Sequence, residues 1–184
     1  MSGENAPTFT AAGDVVVASR GQHTVHVLAA TTGAVVHTCG AHGSAPLQFS
    51  RPTGVCVSRA DTIIVADSGN DRLQEVARLG RGPATLLAAG LVQDPMAVAL
   101  TPTEDALVVR QEGGANRVLV LTRDGSAIVR VLLTAAEVTH GYHGLAVSRS
   151  GVVAVSWQAA GGGGERGRRV EALNRRRRAG LAAG

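Results

Sequence analysis

Six histidines are the first side chains in this sequence that could do chemistry. His23 and His26 flank one turn, His37 and His42 surround a loop, and His140-x-x-His143 has a spacing that can chelate a metal. A zinc site needs further ligands, and no carboxylate or thiol stands at a suitable distance along the chain to complete the pair. The histidines therefore read as solvent-facing loop residues, and no metal or other cofactor is expected. Nucleophilic and phosphate-binding patterns are missing too: there is no GxSxG elbow, no GxxxxGK loop and no carboxylate pair within an apolar strand. No catalytic residue is expected. Asp67 and Arg72 form the one attractive ion pair, and their place in a hairpin assigns them to bracing the turn, Asp67 by accepting backbone N–H bonds and Arg72 by reaching across. Cys39 and Cys56 read as free thiols. Cys56 sits in the apolar run Gly-Val-Cys-Val-Ser, where a thiol packs as a small hydrophobe, and free cysteines fit a reducing compartment.

The elements that must position these residues are legible between Pro52 and Val76. Gly54 to Ser58 alternates as a buried strand, Arg59 to Asp61 is a polar turn, and Thr62 to Ala66 is a β-branched run. Asp67-Ser68-Gly69-Asn70-Asp71 then turns the chain, with Gly69 and Asn70 as the residues that tolerate positive φ, and Leu73 to Val76 returns. The letters spell a β-meander.

Within and just before this stretch, Phe49, Pro52, Gly54, Val65, Ala66, Asp67, Gly69, Asn70, Arg72 and Gln74 fall on a Pro-x-Gly-Val-Ala-Val then Val-Ala-Asp-x-Gly-Asn-x-Arg-Ile-Gln pattern. The run closely resembles the NHL repeat, and the resemblance implies one blade of a β-propeller. Phe49, Pro52, Gly54, Asp67, Gly69, Asn70 and Arg72 are then its structural motif.

One blade cannot bury its two faces alone, so the unit must recur. Upstream, Val17, Ser19, Gly21 and Val25 lie under Val65, Asp67, Gly69 and Leu73, each 48 residues earlier. Downstream, Pro95 to Leu100 repeats the inner strand, and Leu107 to Leu121 repeats the hairpin with one extra turn residue, placing Asn116-Arg117-Val118 on Asp71-Arg72-Leu73. A weaker fourth copy begins at Gly144 and Val152, with Arg169 to Leu173 as its third strand after a glycine-rich insertion. The expected fold is all-β: a partial NHL-type propeller of three to four four-stranded antiparallel blades over residues 14–160. The blades span 14–50, 51–93, 94–140 and 141–173, the last incomplete, and a lead-in with a degenerate strand covers residues 1–13. Missing caps imply an open arc that exposes strand edges and an apolar blade face at each end, which invites self-association or marks a fragment.

The net charge of +4 is concentrated at one end. Arg166, Arg168, Arg169, Arg175, Arg176, Arg177 and Arg178 supply seven of the 18 basic residues, and without them and their neighbours Glu165 and Glu171 the rest carries 11 arginines against 12 acidic residues. A basic groove across the blades is not expected. Residues 161–184 read as a disordered Gly/Arg-rich tail, with these arginines as candidate RNA-phosphate contacts or a nuclear-import signal. No apolar run approaches membrane-spanning length and no signal peptide precedes residue 14, so the expected address is cytoplasm or nucleus, without a membrane.

The resemblance leaves several functions open. It implies a noncatalytic scaffold that binds a protein partner through loops. Arg59, Asp61, Ser68 and Asp71 are candidates on one propeller face, with Gln111 and Asn116 as their third-copy counterparts, and the blade links are expected on the other face. A second reading is an RNA-binding propeller assisted by the arginines. A third is a fragment of a ubiquitin-ligase-associated member or of a metal-dependent propeller lyase, whose channel histidines the resemblance would supply.

Overall fold

The computed structural model describes residues 8–80, 82–112, 116–133, 142–158 and 166–172. These residues form four antiparallel meanders. The first comprises β1 (Thr8–Phe9), β2 (Val15–Ser19), β3 (Thr24–Leu28) and β4 (Val35–Cys39). The second comprises β5 (Pro52–Val57), β6 (Thr62–Asp67), β7 (Arg72–Ala77) and β8 (Thr85–Leu87). The third comprises β9 (Pro95–Leu100), β10 (Ala106–Gln111), β11 (Arg117–Thr122) and β12 (Ile128–Leu133). The fourth comprises β13 (Tyr142–Val147), β14 (Val152–Gln158) and β15 (Arg166–Ala172). Each sheet keeps its strands in chain order, so three blades have four strands and the fourth has three.

Alternation along each strand sends side chains to opposite blade faces, and both faces of a middle blade are buried. In the second blade Val55, Ile63, Val65 and Val76 meet Val16, Val25 and Val27 of the first, while Cys56, Ile64, Ala66 and Leu73 meet Val98, Leu107, Val109, Leu119 and Leu121 of the third. A further cluster joins Val108, Val118 and Val120 to Val153 and Val155 of the fourth. Four blades thus share three apolar interfaces, and among the described residues no core cluster returns from the fourth blade to the first. The described residues form an open propeller arc. Aliphatic residues fill these interfaces as the composition required; Phe49 is the one buried aromatic among the described residues.

Inner strands approach closely where Gly54 stands. A Cβ added there would lie 2.6 Å from Ala97 Cα and 3.0 Å from Met96 O, both backbone-borne positions of β9 that cannot rotate away. The motif glycine is a packing requirement between blades two and three.

Cys39 and Cys56 are both buried and free, and they belong to different interfaces. Burial pushes both thiols up, Cys56 to about 12, so each packs as an apolar group.

Three expectations change. The third strand of the fourth blade, expected from Arg169, already begins at Arg166: β15 pairs with β14 from Gln158↔Arg166 to Val152↔Ala172, so Arg166 and Arg168 join Arg169 in a blade and not in a tail. Backbone pairing with the Val152–Gln158 run outweighed the glycine and arginine composition used to draw the boundary. Arg175, Arg176, Arg177 and Arg178 lie outside the described residues. The outward face of the first blade is not uniformly apolar, because His26 on β3 bonds to Thr24, Thr38 and Gln22. Finally, the positive φ of the Asp67–Asp71 turn falls on Asp71 (φ 51), after a 3-10 turn over Ser68–Asn70, and not on Gly69 or Asn70. Gly69 is needed for space: its Cβ would stand 2.8 Å from Ser50 O.

Candidate functional site

A meander sends successive hairpins to opposite ends of a blade, and this divides the candidate loops. The β5–β6 turn with Arg59 and Asp61 lies at one end. The β6–β7 turn with Ser68 and Asp71 lies at the other, beside the blade links: Asn70 Nδ2 donates to Gly43 O at 2.9 Å and Gly69 N to Ser50 O at 2.8 Å. The expected grouping of both turns on one face, with the links opposite, is corrected by this topology.

At the link end, everything is organised around Asp67, which is fully buried. Oδ1 accepts the Ser50 N–H at 2.7 Å, and Oδ2 accepts from Arg72 Nε at 2.8 Å, Asn70 Nδ2 at 2.8 Å and Gln74 Nε2 at 3.1 Å. Arg72, also buried, carries the tie onward: Nη1 donates to Ser44 O at 2.6 Å and Nη2 to Ala45 O and Gln48 O. Gln74 adds bonds to Gln48 O and from Leu47 N. The pair was expected to brace its own turn, and it does so through Arg72 and Asn70; it also braces the preceding link, residues 43–50, whose backbone polar groups it pairs. Asn70, Ser50 and Gln48 complete this knot.

The knot weakens with each copy, and strand register shows how. Asp67↔Arg72 in blade two corresponds to Ser19↔Thr24 in blade one and Gln111↔Arg117 in blade three. Gln111 keeps one function of Asp67, accepting the Gln93 N–H as Asp67 accepts that of Ser50. It cannot supply charge, and Arg117 is exposed.

Burial sorts the candidate binding residues. Arg59 and Asp71 are exposed, Asp61 and Asn116 half-buried. Ser68 and Gln111 are buried: Ser68 Oγ lies 2.6 Å from Thr53 Oγ1, and Thr53 Oγ1 donates to Pro95 O at 2.9 Å, so Ser68 ties blade two to blade three. A small polar residue in a turn gives no sequence sign of this. Around the knot the exposed groups include His42, Ser44, Ala45, Pro46, Arg51, Gly69 and Asp71. The His23 and His42 rings lie 4.3 Å apart, and His23 Nδ1 accepts the Arg51 N–H at 3.0 Å. His26 and His37 sit on strands and not in loops; His140 lies outside the described residues. Among the described residues no three ligating side chains converge.

The opposite end is laced by ion pairs between blades. Arg78 bridges Asp14 and Asp61 at 3.5 and 2.6 Å, Arg59 donates to Pro102 O and its backbone N to Glu104, and Arg123 holds Glu75 through both nitrogens at 2.6 and 2.9 Å. Arg59 and Asp61 thus connect blades. The Arg123 hydrogen bonds lower the Glu75 pKa below its ordinary 4.5, and Thr122 and Ser126 take Asp124 from 3.8 down to about 2. Carboxylates depressed by folding contribute stability that is complete above their unfolded pKa and lost as pH falls through the folded one. The urea midpoint is expected to be flat near neutrality and to fall between about pH 4.5 and 2. Glu75→Gln should flatten the upper part of that limb; an unchanged pH profile in the variant would remove Glu75 from the account.

Sequential blades with packed inner strands and a polar knot at the hairpin end define the chain as a β-propeller repeat protein. The NHL repeat model matches residues 49–75, the segment that holds Phe49, Gly54 and the Asp67, Asn70, Arg72 and Gln74 side chains of the knot, consistent with an NHL-repeat β-propeller. No curated protein matches the chain in sequence. Among solved structures, the fold is similar to a chain of a nidogen/laminin complex, at 17% identity with a TM-score of 0.67, covering 85% of this chain and 56% of that one. It is also similar to the hydrazine synthase of Kuenenia stuttgartiensis, at 18% identity with a TM-score of 0.58, covering 83% of this chain and 43% of that one. The chain spans about half the length of these structures.

Proposed function

We propose that this chain is a noncatalytic scaffold that binds a protein partner through the link-end loops of its blades. One observation carries the reading. The Asp67–Arg72 knot immobilises residues 43–50 against the β6–β7 hairpin while Arg51, Gly69 and Asp71 beside it stay exposed. Loops pre-set by a rigid scaffold give recognition at low entropic cost. The exposed charges there are of both signs, which favours a mixed protein surface over a polyanion.

The test uses the full chain as bait in a lysate of its own cells, with bound proteins cross-linked and identified. A partner should be retained by the wild type and by Arg130→Glu on the rim, and lost from the Arg51→Glu/Asp71→Arg double variant. Equal retention by all three would overturn the reading. Capture abolished by ribonuclease and steeply weakened by salt would replace the protein with RNA.

A further inference from the structure

Blades one and two each give the next blade a hydrogen-bond acceptor at the link end, and the chemistry of that acceptor changes along the chain. His23 closes the β2–β3 turn and Asp71 the β6–β7 turn, 48 residues apart, and both are left-handed, at φ 59 and φ 51. Each accepts the N–H of the residue that precedes the inner-strand proline of the following blade. Arg51 N donates to His23 Nδ1 at 3.0 Å, and Asp94 N donates to Asp71 Oδ1 at 2.7 Å. We infer that the first of these latches is a pH-sensitive switch: protonation of His23 releases Arg51 and loosens residues 41–51, while the carboxylate latch one blade on stays shut.

Three features carry it. A backbone N–H can only donate, so the bond from Arg51 fixes His23 Nδ1 as an unprotonated acceptor. The imidazolium carries a proton on both nitrogens, and its Nδ1–H would meet the Arg51 N–H donor to donor. Asp71 has no such conflict, because a carboxyl group keeps lone pairs to accept with in either protonation state. Surroundings come second. The titratable and charged groups around His23 are His42 on the link, its ring centroid 4.3 Å away, exposed Arg51, and exposed Arg20 on its own turn. His26 on β3 is held by Thr24, Thr38 and Gln22, and Asp67, which takes the Ser50 N–H, is engaged by Arg72. Among the described residues no carboxylate forms an ion pair with either the His23 or the His42 ring, so a new positive charge meets cations and no counter-ion. The third feature is strain. Arg51 (φ 50) and Asp94 (φ 43) are left-handed non-glycine residues that precede Pro52 and Pro95, where the chain favours extended backbone. Such a conformation lasts only while its neighbours hold it, so Arg51 has a relaxed state to move to once the acceptor is lost.

The switch stands whether or not a protein partner reads this end, and its test uses none, so the two readings fall separately. Amide hydrogen exchange and 15N spectra of the full chain follow Arg51 and Asp94 together between about pH 8 and 5, the range in which histidine changes charge. Corrected for the intrinsic pH dependence of exchange, Arg51 protection should fall by about fivefold across that range, the equivalent of one hydrogen bond of ordinary net strength. Asp94 protection should hold. One bond at a loop moves the urea midpoint little, which makes local exchange the sensitive readout. His23→Asn keeps an acceptor oxygen, tolerates left-handed backbone and does not titrate, so it should leave Arg51 protected at every pH. Asp71→His should transfer the switch one blade on, making Asp94 protection fall with acid, and it decides the matter where His23→Asn fails to fold. His42→Gln should leave the Arg51 response in place. Protection of Arg51 that is flat with pH in the wild type, a response that survives His23→Asn, or one that vanishes in His42→Gln would overturn the inference.

Discussion

Asp67→Ala should destabilise the chain by about 3–5 kcal/mol, the range for removing one partner of a buried ion pair. The Arg72 guanidinium would stay buried with only carbonyl oxygens around it, and the Ser50 N–H would lose its acceptor. Leaving a buried group unsatisfied costs more than the hydrogen bond itself contributed. The loss should appear as a lower urea midpoint with an unchanged slope. Removing both charges with Asp67→Ala/Arg72→Met should cost less than the two single changes added together, because the double variant, unlike either single one, buries no orphaned charge. A single-variant loss below about 1 kcal/mol would mean that the knot is held by its surroundings. The same experiment at Gln111, the third-blade counterpart, should show a smaller effect, since a neutral amide accepting the Gln93 N–H stands there in place of a buried carboxylate, and its loss orphans no buried guanidinium.

The contrast between those two positions shows what the letters could and could not convey. Blade two was legible because its alternation, its Asp-x-Gly-Asn turn and its paired Asp67 and Arg72 all specify one hairpin, and local agreement of that kind is how a sequence defines a fold. The 48-residue offset between Ser19 and Asp67 emerges unchanged in the strand register, as does the placing of Arg117 on Arg72. Binding residues were less legible, because hydrogen-bond partners distant in sequence decide them. Ser68 resembles any turn serine until Pro95, 27 residues on, comes beside it through Thr53. Arg59 and Asp61 resemble a free polar turn until Pro102, Glu104 and Arg78 reach them from other parts of the arc. The start of the strand Arg166–Ala172 was hidden for another reason: Arg166-Gly167-Arg168 carries little strand signal of its own, and the aliphatic strand beside it supplies the ladder.

Phe49→Ala carries the other large effect, also about 3–5 kcal/mol, and a different mechanism. The ring is fully buried between Val16, Val25 and Val27 of the first blade and Val55, Ile63 and Val65 of the second. The surrounding valines are stiff at χ1 and sit on strands whose registers are fixed, so they cannot collapse into the vacated space. Backbone bonds from Phe49 N to Ala41 O at 2.8 Å and from Gly43 N to Phe49 O at 3.1 Å fasten the link to this ring, and Gly40 (φ +97) leaves room for it. Phe49→Leu should lose less than half as much, since most of the apolar volume is kept, and it separates two consequences of the ring. If Phe49 only fills a core, the leucine variant will keep wild-type amide protection over residues 41–51. If it also seats the link that presents His42 and Arg51, exchange there will quicken before the blades unfold, and partner capture will weaken in a variant that is still folded. Protection unchanged in both variants would show that the Asp67 knot alone holds these loops.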